Sequence, residues 1–395
     1  MITTDSKRGR IALSVAHCAG MLDLVALPVW VGTLIAAYRF DAQQAGLLAT
    51  LFLAGAVLAS LLLAPRFDRL PRRYVAALSF LVSAIGFGVA VVSSDFKTLA
   101  GLHLLCGLAT GAALSVTHGT IALSANPHRL FAIVNMALGI VAIFYLGVTP
   151  QIVAKLGGSA LFGVFSCAMA LAALVCLLIF PSPGAARGGA PGVANAAVPA
   201  APAATARFSP AVWFGIVGVA LVALVQAMTT SFVERAGIDR GFGPHAVAGV
   251  LIALGVVNLV PAPLAAVLER RLPARGVLLC APVLQAMLAV TAMNATAFPF
   301  YAGSTAVFVA IIIFSHTFAF GLLARLEPTG RALSATPAML MIGAAIGPVL
   351  GGTLVKFSGY GAIGVAAIVL AACAVFCFSR LPAHATSATP PGLPA

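Results

Sequence analysis

"RFDRLPRRY", Arg66 to Tyr74, sets four arginines and one aspartate between two long apolar runs. A worn copy, "LERRLPARG" (Leu268 to Gly276), recurs much later. The chain around these clusters is nearly free of charge. Of its 395 residues, 62% are apolar and 8% charged, against about 25% charged in a soluble domain. A water-soluble fold of this size has no means of hiding so much apolar surface. Uncharged stretches recur along the whole length, each near the roughly 20 apolar residues that a bilayer-spanning helix needs. A transmembrane barrel would show short alternating segments instead. The expected fold class is an all-α integral membrane protein.

Twelve spans are expected, at 11–37, 43–65, 74–93, 98–124, 129–153 and 159–180, then 210–233, 245–268, 276–294, 297–323, 334–356 and 359–379. Between the two sets lies "PSPGAARGGAPGVANAAVPAAPAATARFS" (Pro181 to Ser209), made of Pro, Ala and Gly with almost no bulky apolar residue. Such a composition neither packs a core nor crosses a bilayer, so 181–209 reads as a flexible linker. The flanking blocks, 11–180 and 210–380, are of nearly equal length, and each has its charged cluster between its second and third spans. The clusters are therefore corresponding points of an internal duplication, with 1–10 and 381–395 as tails. Sixteen of the 22 Lys and Arg residues fall on the side of the termini. The remaining six are Arg39, Lys97, Lys155, Arg235, Arg240 and Lys356. That bias predicts cytoplasmic termini in a multi-pass cell-membrane protein, the inner membrane in a Gram-negative cell.

The net charge of +13 would suggest nucleic acid in a soluble protein. Here the basic residues sit in short loops and set orientation, so no nucleic-acid partner is expected. The seven cysteines all lie in predicted spans, without CxxC pairs or His/Cys clusters. Neither disulfides, a metal site nor a cofactor is expected. The apolar run from Ile11 is too long for a signal-peptide core and should stay as a helix.

Two six-helix halves, a central linker and a charged loop between spans two and three resemble the major facilitator superfamily. The family's loop motif reads roughly Gly-x-x-x-Asp-Arg-x-Gly-Arg-Arg. Ala64 to Arg73 aligns with it without a gap: Asp68, Arg69, Arg72 and Arg73 match, while Ala64 and Pro71 replace the glycines. In the copy, Glu269, Arg270 and Arg275 match. The resemblance implies two pseudo-symmetric bundles that rock about a central site, in a monomer. It also implies a cytoplasmic gate of Asp68, Arg69, Arg72, Arg73, Glu269 and Arg270. Asp68 would face the start of span eleven, where Thr336-Pro337 is a good cap and first-turn pair and the helix dipole favours an anion. The acid that the family offers at the inner end of span four is absent from "LSANPHR", Leu123 to Arg129.

Gly343-x-x-x-Gly347-Pro348-x-x-Gly351-Gly352 resembles the glycine-proline motif that the family's drug–proton antiporters carry in span five. Here it lies in span eleven, where small residues also let helices approach closely. In span four, His103, Gly107 and Gly111 keep the spacing of a family motif whose first member is Arg.

Asp23 is the one acid deep inside a predicted span. A carboxylate there costs at least about 2.5–3.5 kcal/mol, so it needs a polar cavity, a partner or a proton. That makes Asp23 the candidate proton-coupling group. His17, His118 and His316 are candidate relay members, although His17 falls about 120° from Asp23 on a continuous helix. The resemblance implies that spans one, four, seven and ten line the cavity. Asp23, Trp30, His103, Gln226, Thr229 and Thr230 are then the candidate cavity residues. Glu234, near the outer boundary, reads equally well as solvated. No Lys or Arg lies deep in a span, which favours a neutral or cationic small molecule over an anion.

The function expected is secondary active transport of a small organic solute, proton-coupled, leaning to efflux of lipophilic or cationic compounds. Proton-driven uptake of a nutrient uses the same fold and stays open, as does a non-transporting sensor or lipid-moving protein. No nucleophile elbow, phosphate loop or metal-binding His pair suggests an enzyme.

Overall fold

The computed structural model describes residues 2–181, 209–269, 271–327 and 336–382, leaving aside the side chains of 64, 65, 68, 128 and 336–338. Most of the predicted linker, most of the C-terminal tail, Arg270 and the side chains of Asp68, Thr336 and Pro337 thus lie outside the described residues.

Twelve helices have the length and composition of membrane spans. They are numbered here in chain order. Spans 1 to 6 are Lys7–Ala36, Ala42–Leu63, Arg72–Val91, Phe96–Ala122, Arg129–Leu156 and Ala160–Ile179. Spans 7 to 12 are Pro210–Asp239, Pro244–Leu268, Ala274–Asn294, Phe298–Leu326, Met339–Ser358 and Gly361–Ser379. Polar caps set their starts. Ser6 Oγ accepts from the Gly9 N–H (3.1 Å), and Asp95 Oδ2 accepts from the Thr98 N–H (2.9 Å). At span 2, Asp41 and Gln44 cap each other reciprocally, a capping box that satisfies two otherwise orphaned donors. Spans 5 and 11 end on glycines with positive φ, Gly157 (90°) and Gly359 (75°), where a side chain would be strained.

Span 7 runs six residues past the expected end because Glu234, Arg235 and Asp239 stay helical. The Arg235–Asp239 pair (2.5 Å) is spaced one turn apart and supports that last turn. Two spans are broken. Span 8 yields at Asn258–Val260, just before Pro261, which cannot continue a ladder behind it. Span 1 breaks at Met21 into Lys7–Gly20 and Leu22–Ala36. No proline explains this second break. Leu114 of span 4 packs so closely that a methyl on Gly20 would sit 2.8 Å from its Cδ1.

The duplication is visible in the bonds. Arg73, opening span 3, donates from Nε to the Leu177 carbonyl near the end of span 6 (2.6 Å). Arg275, opening span 9, donates to the Ser379 carbonyl at the end of span 12 (2.7 Å). Each bond closes over 104 residues, and each satisfies an orphaned helix carbonyl with a cation.

On the side of the chain termini, spans 2 and 11 each lie on their own half. Gly107 and Gly111 of span 4 admit the backbone of span 2 at Phe52 and Ala56, and Gly343 admits the Ala220 carbonyl of span 7. On the far side the two halves meet. One buried apolar core runs from the N-terminal half into Leu224, Met228, Phe232, Ala236 and Leu251 of the other. Toward the termini the C-terminal half keeps a separate core, around Val219, Leu278, Leu322 and Phe378. The molecule is thus sealed at the far face.

Candidate functional site

The break in span 1 organises the polar groups around it. Met21 N–H still bonds back to the His17 carbonyl (2.9 Å), so His17 lies in the last turn of the first segment. Asp23 lies in the first turn of the second. The partial charges at these two ends suit a cation at the first and an anion at the second. Asp23 Oδ1 accepts from the Leu24 N–H (2.8 Å), a donor freed by the break. Asp23 Oδ2 is buried with no hydrogen-bond partner. The carboxyl borders a cavity of about 10 Å³ shared with Leu22, Trp30, Phe52, Phe87, Phe165 and Met169, enough for about one water.

That cavity lies inside the N-terminal half. Trp30 is fully buried, edge-on to Phe52, Phe87 and Phe165 and stacked on His103 (centroids 5.4 Å apart). His103 Nδ1 lies 2.6 Å from the Leu99 carbonyl, so Nδ1 carries the proton and donates. Its Nε2 is left as a buried lone pair without a partner, as the Trp30 Nε1–H is left without an acceptor. Asp23, Trp30 and His103 are therefore brought together, but around an internal aromatic cluster of their own half.

His17 and His118 also meet. Nδ1 of the first and Nε2 of the second are 3.0 Å apart, one donating and the other accepting. The sequence grouped both among the candidate relay members, and the structure brings these two into contact. Phe131 of span 5 packs edge-on against His118 (5.5 Å). The ring of Phe67 reaches span 4 at Gly119, beside His118, and so docks the charged loop there. His316 does not join them; its ring stacks on Phe320 in its own helix (5.3 Å).

In span 7 the polar stripe divides. Thr230 bonds back to the Gln226 carbonyl (2.8 Å). Gln226 Oε1 and Thr229 Oγ1 are buried and unpartnered, as is Asn258 Oδ1 at the break in span 8. Among the loop residues expected to gate the termini side, Arg73 bonds within its own half, and the Arg72 guanidinium sits 4.3 Å from the Phe67 ring centre. Arg69 is exposed, and Glu269 lies beside Gly321 of span 10.

The seam between the halves is closed through three span pairs. Spans 5 and 8 meet at Gly147 and Ile252, and at Ile143 and Gly255. Spans 2 and 11 meet where Gly46 faces the Pro348 carbonyl and Gly352 faces the Ala42 carbonyl, with no room for a Cβ at either glycine. There Thr50 enters the helical ladder of span 11: its hydroxyl donates to the Ala345 carbonyl (2.6 Å) and accepts from the Val349 N–H (3.1 Å). Pro348, just before Val349, has no N–H of its own, so the Ala344 carbonyl one turn earlier also lacks its ladder donor. Gly347 and Gly351 pack inward on Met228 of span 7. At the far rim, Lys356 bonds Asp41 (3.0 Å) and Gln43 (3.2 Å). Slight desolvation works to raise the Asp41 pKa, but the Gln44 N–H and the Lys356 ammonium outweigh it and hold it below its usual range.

The third pair is spans 1 and 7, where Glu234 lies over Gly32. Its Oε2 is shut off from solvent and unpartnered, while the residue as a whole is half-buried, so one carboxyl oxygen is withdrawn from the solvated rim that its flanking charges suggest. Gln226, Thr230 and Glu234 recur at helical spacing, so they lie on one face of span 7.

The sequence profile of the Major Facilitator Superfamily matches residues 13–328. Twelve spans in two pseudo-symmetric halves define a multi-pass membrane transporter, and the chain belongs to that superfamily. Its structure is similar to that of the nucleoside transporter NupG (TM-score 0.70, 15% identity, covering 94% of this chain and 96% of that one). It is also similar to a bacterial homologue of the human lysosomal transporter Spinster in an inward-facing, occupied conformation (0.68, 16%, 95% of each). At these identities the likeness is one of fold. No curated protein sequence matches the chain.

Proposed function

We propose that the protein is a proton-coupled secondary transporter whose proton-binding group is Asp23, working by alternating access on a small neutral or cationic organic solute. The observation that carries this reading is the Asp23 carboxyl: one oxygen engaged by a backbone N–H, the other buried and free. A carboxylate so placed is costly in a bilayer, and a proton on Oδ2 removes the cost. The solute would meet the unpartnered polar atoms of Gln226, Thr229 and Asn258. Asp23, Trp30 and His103 act from within the N-terminal half, with the His17–His118 pair toward the termini, which we place in the cytoplasm. In this reading the far-side-closed structure is inward-facing, and the arginine-rich loops with Asp68 govern closure of the termini side.

We favour lipophilic or cationic compounds as the solute, because no Lys or Arg lies deep in a span to hold an anion, with efflux as the first reading of the direction. Uptake of a neutral metabolite is the second reading, favoured by the likeness to a nucleoside transporter. Proteoliposomes loaded with ethidium or with uridine, with and without a pH gradient, separate the two. Gradient-driven extrusion of ethidium supports efflux, and gradient-driven accumulation of uridine supports uptake. Asp23→Asn should abolish gradient-driven movement while leaving exchange. A variant that couples as well as the wild type would remove Asp23 from the mechanism.

A further inference from the structure

Glu234 stands at the position in span 7 that corresponds to Gly32 in span 1, at the same sequence offset that relates Arg73 to Arg275. The two meet face to face on the closed far side, and a methyl on Gly32 would overlap Glu234 Oε2. That oxygen has neither solvent nor a hydrogen-bond partner. The charged and titratable groups around it are few. On its own helix, Arg235 is the adjacent cation: one guanidinium nitrogen is held by Asp239 (2.5 Å) and its Nε is buried without a partner. Tyr145 of span 5 and Tyr301 of span 10 are within electrostatic reach. The Tyr301 hydroxyl is spent on the Val233 carbonyl (2.8 Å), and the Tyr145 hydroxyl is unpartnered. From span 1, Gly32 faces the carboxyl.

A carboxylate with one oxygen pressed on a glycine and left without a hydrogen-bond partner is a costly arrangement that the neighbouring Arg235 offsets only in part, whereas a neutral carboxyl fits. Parting spans 1 and 7 on the far side would admit water and make the anion tolerable. We propose that Glu234 is a second proton-binding site, and that its proton, taken from water on the far side, locks the far-side gate shut. The cycle balances: hydronium protonates the carboxylate as the gate closes, and the carboxyl returns its proton to water on the same side as the gate opens. The inference deepens the transport reading above and rests on it for its place in a cycle.

The test needs no transported solute. Nitroxide labels at Lys155→Cys and His245→Cys, both exposed near the far face and one in each half, are introduced into the full chain with its native cysteines replaced. Electron–electron distances are measured in nanodiscs from acid to alkaline pH. In the otherwise wild-type protein, raising the pH should move the population from short to long distances. The shift should be roughly tenfold per pH unit in the window where only the closed form holds the proton. Glu234→Gln should stay short at every pH, and Glu234→Asp should keep a pH response. Gly32→Val should hold the seam open by crowding the carboxyl, and adding Glu234→Ala should let it close. A Glu234→Gln variant that tracks pH as the wild type does, or a wild type that does not respond, overturns the proposal. The outcome is separable from that of Asp23: full coupling in Asp23→Asn would sink the transport reading while leaving a pH-driven gate intact.

Discussion

Arg73 and Arg275 stand at corresponding points of the two halves and do the same thing: each ties the start of one span to the last turn of another. Gly32 and Glu234 also correspond, yet one is a hydrogen atom and the other a carboxyl. Bonds that hold a half together have kept their form across the duplication, while positions facing the seam have parted. His103 and Thr305 also differ, both buried with an unpartnered polar atom, although His103 lies inside its own half and not at the seam. The N-terminal half thus encloses its titratable groups around an aromatic cluster. The C-terminal half turns its polar groups along span 7 and one acid toward the seam.

The sharpest way to break this division is steric. Gly107 packs against the Phe52 backbone within a half, and Gly46 against the Pro348 carbonyl across the seam. Gly107→Val should cost upwards of about 3 kcal/mol and leave little folded protein by size-exclusion chromatography. Gly46→Val should leave melting within about 1 kcal/mol of wild type while driving the Lys155–His245 distances long. Equal loss of folded protein in both would erase the distinction. Next comes Thr50→Val, which removes both bonds into span 11. It should favour the far-side-open form by about 1 kcal/mol; unchanged distance distributions would deny the insertion any role in the seam.

Smaller effects test the symmetry itself. Arg73→Gln and Arg275→Gln should each lower stability by about 1 kcal/mol and add in the double variant, as read by thermal unfolding. Markedly unequal losses would show that only one bond matters. The least effect belongs to the rim. Asp41 and Lys356 are 38% and 37% exposed, so Lys356→Gln should weaken closure by only a few tenths of a kcal/mol. Because Asp41 is held below its ordinary value of 3.8, its contribution is present above that pH. It fades as the pH falls through the lower folded value. Acid therefore loosens the rim while, through Glu234, it tightens the seam, and the distances against pH should separate the two.

The sequence made the spans legible because a bilayer leaves a long apolar signature, and the arginine clusters revealed the duplication because charge is scarce. What stayed hidden depends on neighbours remote along the chain. The break at Met21, which lies beside the close approach of Leu114 to Gly20, is recorded by no local periodicity. Glu234 was visible as a residue, but its company of Arg235 and Asp239 resembles a solvated helix end. Only the approach of Gly32 from the other half shows that one of its carboxyl oxygens is covered. Trp30 and His103 read as cavity residues from their spans, whereas their ring contacts all lie within the N-terminal half.

The central claim is that Asp23 takes and gives up a proton as the two halves change places. Infrared difference spectra of the full-length protein after a pH step test it directly, since a protonated carboxyl has its own carbonyl band. The account predicts two such bands in the wild type, one absent from Asp23→Asn and the other from Glu234→Gln. A spectrum that Asp23→Asn leaves unchanged would contradict it.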